Sequence, residues 1–289
     1  MKKILFPTEF SDQAPELFKY ATEVAYFFKA KIVMIHALNL PDEALMSKKD
    51  TQKLADATST KLYQFVKENL APSFQHIPVE YIVKTGSPAQ AILETASSED
   101  IDLIVVGMTG KTNAINTLLG RTSFQVLEMS DCPVLLVPST ARFAGIDHIA
   151  FTTDFEFRDF GAIQYLKSWA KRLDAPIHCL HIIEEDENEL SALKNMHILK
   201  TVYKRHHRIL FDMRAGNFQD GIEKFAKSKR ADLIAMISHK RNLLSRMTKK
   251  SDVKDIARKI QIPILVIKDN AYQIDSTFSE LIGIANSIA

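Results

Sequence analysis

The chain repeats itself, and the repeat leaves few folds open to it. Ile149-Ala150-Phe151-Thr152-Thr153-Asp154-Phe155 answers Ile4-Leu5-Phe6-Pro7-Thr8-Glu9-Phe10 at an offset of 145, as from Thr8 to Thr153. The same offset carries the helical stripe Leu17, Ala21, Val24 and Phe28 onto Ala162, Leu166, Trp169 and Leu173, and His36 onto His181. Further on the offset falls to 130, taking Gly86 to Gly216, Asp102-Leu103-Ile104 to Asp232-Leu233-Ile234 and Pro133-Val134 to Pro263-Ile264. The second copy is therefore shorter in its middle, by the difference between 145 and 130. The expected domains are residues 1–139 and 146–268, with a tail at 269–289 outside the repeat.

Within the first copy, short apolar runs alternate with helical patterns. Lys3 to Glu9 reads as a strand with its C-terminal end, and Lys31 to Ala37, Val79 to Val83, Ile101 to Val106 and Pro133 to Val137 read as strands. Ser11 or Asp12 is a candidate cap for the first helix, residues 43–69 suit a long exposed helix, and Pro88 sits where a helix tolerates proline. Strands alternating with helices build a parallel, doubly wound α/β sheet. With 289 residues, 46% of them hydrophobic, two cores of ordinary size fit.

The fourth strand leads into the most informative loop. Val105-Val106-Gly107-Met108-Thr109-Gly110 continues through Lys111 to Gly120-Arg121-Thr122-Ser123, and Phe124 to Met129 then reads as a helix. A strand passing through glycines to a helix N-terminus suits phosphate, because unpaired N–H groups meet there and the glycines let an anion reach the backbone. The loop is a candidate holder of nucleotide phosphates. A P-loop is disfavoured, since Val105 stands where its first glycine belongs. In the second copy the offset of 130 puts Ile237, Lys240 and Lys250 in place of Gly107, Gly110 and Gly120, so one nucleotide per chain is expected, in the first half.

Composition excludes several alternatives. The charge of +2, from 37 basic and 35 acidic residues, is too balanced for a dedicated nucleic-acid binder. No apolar run approaches the ~18–20 residues of a membrane helix, and the N-terminus lacks a signal-peptide core, so a cytoplasmic protein is expected. Cys132 and Cys179 are expected to be buried, reduced thiols. His36 and His181 read as packed strand-end histidines, and no paired acid at readable spacing makes either a base. His206 and His207 read as a polar strand start, with metal binding discounted. The basic stretch Lys240, Arg241, Arg246, Lys249 and Lys250 reads as a solvated loop, with a second anion site as its sharper alternative.

Together, the opening Lys-Ile-Leu-Phe-Pro-Thr-Glu-Phe-Ser at 3–11, the strand ending in His36, the closing Cys-Pro-Val-Leu-Leu-Val at 132–137 and G-x2-G-x9-G at Gly107, Gly110 and Gly120 resemble the universal stress proteins in their tandem form. The resemblance implies two Rossmann-like domains, each a five-stranded parallel sheet in order 3-2-1-4-5 with helices on both faces. It implies adenine and ribose against Pro7, Thr8, Glu9 and Ala37, and phosphates on Gly107, Thr109, Gly110, Gly120, Arg121, Thr122 and Ser123. The ligand would be ATP, ADP or AMP, with Mg as a candidate companion. Two residues depart from the family's habit: Glu9 replaces Asp, and Arg121 replaces the Ser or Thr after the last glycine. The resemblance further implies an internal pseudo-dimer through 133–137 and 263–267, with a homodimer of whole chains as a further option. A regulatory or stress-response module is expected, with slow nucleotide hydrolysis at most and no catalytic residue assigned. The alternatives are a nucleotide-free scaffold and a slow adenine nucleotide hydrolase.

Overall fold

The structure is a computed structural model, and it describes residues 1–40, 47–108, 120–155, 159–184, 188–238 and 261–268. Thr109, Gly110 and Lys111, the basic stretch 240–250 and the tail 269–289 lie outside the described residues. The chain divides into two compact units, Met1–Phe143 and Ala144–Ala289.

In the first unit β1 (Lys3–Pro7), α1 (Ala14–Phe28), β2 (Lys31–Leu38), α2 (Lys48–Asn69), β3 (Val79–Thr85), α3 (Pro88–Ser98), β4 (Leu103–Gly107), α4 (Arg121–Met129) and β5 (Val134–Val137) follow in turn. The strands lie in the order β3-β2-β1-β4-β5 and pair in parallel. Ile4 to Phe6, Ile32 to Ile35, Leu103 to Val106 and Val134 to Val137 are all buried. Consecutive residues of a strand point to opposite faces, so both faces of this sheet are covered. One cover is α1 with α2, where Phe18 bridges Phe6 of β1 and Phe65 of α2 at ring-centroid distances of 5.3 and 5.6 Å. The other is α3 with α4, which pack on each other.

The second unit runs β6 (Ile149–Thr152), α5 (Asp159–Leu173), β7 (Ile177–Ile183), α6 (Glu189–Val202), β8 (Ile209–Ala215), α7 (Phe218–Lys229), β9 (Leu233–Ser238) and β10 (Ile264–Lys268). Its order, β8-β7-β6-β9-β10, is the same topology. Trp169 of the predicted stripe is fully buried at its core.

The duplication extends to single hydrogen bonds. The Asp102 carboxylate accepts from the N–H groups of Lys2 and Lys3, and Asp232 accepts from those of Asp147 and His148. His36 Nδ1–H donates to the Thr8 carbonyl at 2.8 Å, and His181 Nδ1–H donates to that of Thr153 at 2.9 Å. Both histidines are therefore packed and bonded, with one ring nitrogen committed to the backbone.

Two local expectations are corrected. Neither Ser11 nor Asp12 caps α1: its N-cap is Gln13, which makes no side-chain cap bond, while the Ser11 carbonyl accepts from Ala14 N–H. Pro15 at the second helical position removes one of the N–H groups a cap would serve. Cys132 is half-buried, with its sulfur 3.4 Å from Ser130 Oγ, whereas Cys179 is fully buried and burial pushes its thiol pKa up. Both are free thiols.

Candidate functional site

The strand order reverses between β1 and β4, whose neighbours β2 and β5 lead away in opposite directions. Loops at the C-terminal ends of these strands must part there, which leaves a cleft. A cavity of about 370 Å³ occupies it, lined by Pro7, Thr8, Glu9, Ala37, Gly107, Gly120, Arg121, Thr122 and Ser123 among others. Every described residue of the expected site thus borders one space.

On the β1 side the chain turns sharply. Phe10 takes a left-handed φ of 55°, uncommon for a bulky residue. The Thr8 hydroxyl oxygen accepts from Phe10 N–H at 3.1 Å, and the Phe10 ring packs against His36 with centroids 4.9 Å apart. Lys61 of α2 also sits over that ring, 4.1 Å from its centroid. The turn thus fixes where Glu9, half-buried at the cavity edge, can point.

On the β4 side Gly120 N–H donates to the Met108 carbonyl at 2.7 Å, tying together the ends of the segment between them. Gly120 is the N-cap of α4 and has no side chain to offer it, so the N–H groups of Arg121, Thr122 and Ser123 lack intrahelical acceptors at the cavity wall. Its φ of −58° and ψ of 148° suit any residue, so what glycine contributes here is a missing Cβ. The Ser123 hydroxyl donates to the Gly107 carbonyl at 2.8 Å. Its proton is committed to the strand end, so it anchors the first turn of α4 and leaves its lone pairs and N–H to the cavity.

The sequence did not place Gln13, Ala14, Glu16, Pro88, Pro138 or Ser139 at the site, and they also border the cavity. Lys19 hydrogen-bonds Glu16 and holds its carboxyl below the usual carboxylate range, with Arg142 pulling the same way. Among the described residues no group of three metal ligands occurs.

The second unit differs at the matching positions. Asp159 stands where the first unit has Ala14, and Lys268 where it has Pro138, both of them cavity-lining residues there. Asp159 and Lys268 are 1% and 2% exposed. The Thr153 hydroxyl donates to the Asp159 carboxylate, and Lys268 Nζ lies 3.4 Å from Ser238 Oγ. Buried charged side chains with protein partners thus stand where the first unit presents a methyl group and a proline ring.

A parallel α/β domain with a cleft at its strand-order reversal, walled by a helix N-terminus, belongs to the Rossmann-like class of folds. The model of the universal stress protein family matches residues 1–138 and again 145–268, and the chain belongs to that family with two tandem copies of its domain. A universal stress protein of Methanocaldococcus jannaschii is 28% identical over 155 residues, 47% of this chain and 94% of that protein. One from Synechocystis is 21% identical across 93% of this chain and 100% of its own length. Among solved structures, a universal stress protein from Archaeoglobus fulgidus has a TM-score of 0.72 at 20% identity, covering 93% of this chain and 98% of that one, a likeness of fold. Among the described residues no helix is long and apolar enough to cross a membrane.

Proposed function

We propose that the first domain binds an adenine nucleotide, ATP, ADP or AMP, and that the chain is a regulatory module whose state follows that ligand. The carrying observation is the cavity beside β1 and β4, lined by Pro7, Thr8, Glu9 and Ala37 on one side and by Gly107 and Gly120 to Ser123 on the other. Its volume of about 370 Å³ falls among small-molecule sites, which span ~300–1,000 Å³. On this reading the base and ribose lie against Pro7 to Glu9 and Ala37. The phosphates lie over the start of α4, where free N–H groups and the helix dipole favour negative charge. Arg121, exposed at the mouth, supplies a guanidinium in place of a hydroxyl and pairs with phosphate oxygens. Thr109 and Gly110 remain part of the proposal through the sequence alone.

The second domain is proposed as structural, with Asp159 and Lys268 in place of the ligand. The matching strands 133–137 and 263–267 are proposed to pair, a reading supported by their apolar sequences and equivalent positions in the repeat. The module is proposed to act in the cytoplasm. No catalytic residue is assigned, and a module that changes its surface with occupancy needs none.

Titration of the full chain with a fluorescent ATP analogue tests the proposal. Saturable binding is expected, and Gly120→Val is expected to abolish it at millimolar nucleotide, because the new side chain occupies the space of the nearest phosphate. Absence of binding at millimolar nucleotide would leave the nucleotide-free scaffold as the better reading.

A further inference from the structure

One wall of the cavity comes from the segment that leaves β5 for the second unit. Val137 pairs with Gly107, so the chain quits the sheet beside the glycine end of the cleft. Pro138, Ser139 and Ala141 then line the cavity. The segment turns on itself, Ala141 N–H donating to the Pro138 carbonyl at 3.0 Å, and returns to α1. Arg142 fastens it: Nη1 donates to the carbonyls of Ser139 and Ala141 at 3.2 and 3.0 Å, and Nε lies 3.2 Å from the carboxylate of Glu16. Glu16 is itself a cavity residue. The next residue, Phe143, packs edge to face on buried Tyr20 with centroids 5.1 Å apart, and lies 5.8 Å from Phe27. Phe143 is the last residue of the first unit.

We infer that this linker is a working wall of the nucleotide site, held shut on α1 by Glu16, Arg142 and Phe143 as positioning residues, so that occupancy and linker closure reinforce each other. The inference rests on the nucleotide reading above and adds the route by which occupancy reaches the connection between domains. The Arg142 and Glu16 side chains are 60% and 35% exposed, so their ion pair is of the weak surface kind and the clamp can open. A ligand seated against Pro138, Ser139 and Ala141 keeps those contacts only while the wall is shut. Linkage then requires that the open form bind the ligand more weakly by the same factor as the ligand suppresses opening, so that loosening the wall weakens the ligand by up to that factor.

Arg142 makes the opening measurable, because trypsin cleaves after arginine only when the segment is free to enter the protease. Limited trypsin digestion of the full chain, followed by mass spectrometry of the fragment ending at Arg142, is run with and without ATP, and ATP occupancy is read in parallel by competition with the fluorescent analogue. Saturating ATP is expected to slow cleavage about fivefold or more. Glu16→Gln is expected to weaken ATP about two- to fivefold and Phe143→Ala somewhat more, with Phe143→Leu restoring most of the loss. Unchanged cleavage with ATP bound would overturn the linker proposal while sparing the nucleotide reading. Faster cleavage would overturn it too, since the ligand would then displace the wall. If ATP fails to bind at all, both readings fall, and the parallel occupancy measurement tells these cases apart.

Discussion

Thr8 and Thr153 are the same residue in two copies, and their surroundings give them different weights. Each hydroxyl oxygen accepts from the N–H of a phenylalanine held at left-handed φ, at 3.1 Å for Phe10 and 2.9 Å for Phe155. Thr153 also donates to the buried Asp159 carboxylate, whereas the first copy has an alanine there. Thr8→Val is therefore expected to cost about 1 kcal/mol, the value of one hydrogen bond. Thr153→Val should cost about 2–3 kcal/mol, because it also removes a donor from a buried carboxylate. Urea denaturation of the two variants checks the ordering. The sequence aligns these threonines but does not reveal the asymmetry, because an aspartate ahead of a helix reads as an exposed N-terminal acid. Only tertiary burial shows otherwise, and the same holds for Lys268, a charged residue that a strand-end reading leaves in solvent.

At the scale of elements, four helices end alike. Lys29, Asp100, Asp174 and Arg230 all take φ between 49° and 59°. The next residue's N–H in each case reaches back to an alanine carbonyl, from Ala30, Ile101, Ala175 and Ala231 to Ala25, Ala96, Ala170 and Ala226. That is the helix-ending motif which favours glycine, closed by a buried apolar residue. None of the four is glycine, so a backbone cost of about 1 kcal/mol remains at the lysine and arginine. Lys29→Gly and Arg230→Gly are expected to stabilise the protein by about 0.5–1 kcal/mol each, readable as a raised denaturation midpoint. The apolar runs made the strands legible in sequence, but these helix stops were hidden because their usual marker is missing.

The sheet edge of the second unit adds a pH dependence. His178 of β7 is buried, with its Nε2 3.3 Å from His148 Nδ1, beside Lys229, which pairs with Asp212 at 2.8 Å. Burial first, then Lys229 and His148, hold the His178 pKa below the ordinary imidazole range, with Asp212 opposing. The unfolded chain therefore takes up this proton first, near pH 6.5. Stability is full above that value and declines as pH falls toward the folded pKa. His178→Leu should flatten part of that decline in denaturation midpoints measured from pH 7.5 to 5. An unchanged slope would show that the buried imidazole is not its source.

For the whole molecule, duplication followed by divergence explains why one architecture carries two unequal halves. The repeat was legible because strand cores and the Asp102 and Asp232 bonds obey the same constraints in both copies. The residues around the glycine loop were legible through the spacing of Gly107, Gly110 and Gly120, and the described ones border one cavity. The linker wall was not, because nothing in Pro138 to Arg142 says that the chain folds back on α1. The proposed inequality of the halves predicts a number. Equilibrium dialysis of the full chain against labelled ATP should retain one nucleotide per chain, and Gly120→Val should bring it to none. Two nucleotides per chain, or one that survives Gly120→Val, would contradict a single site in the first domain.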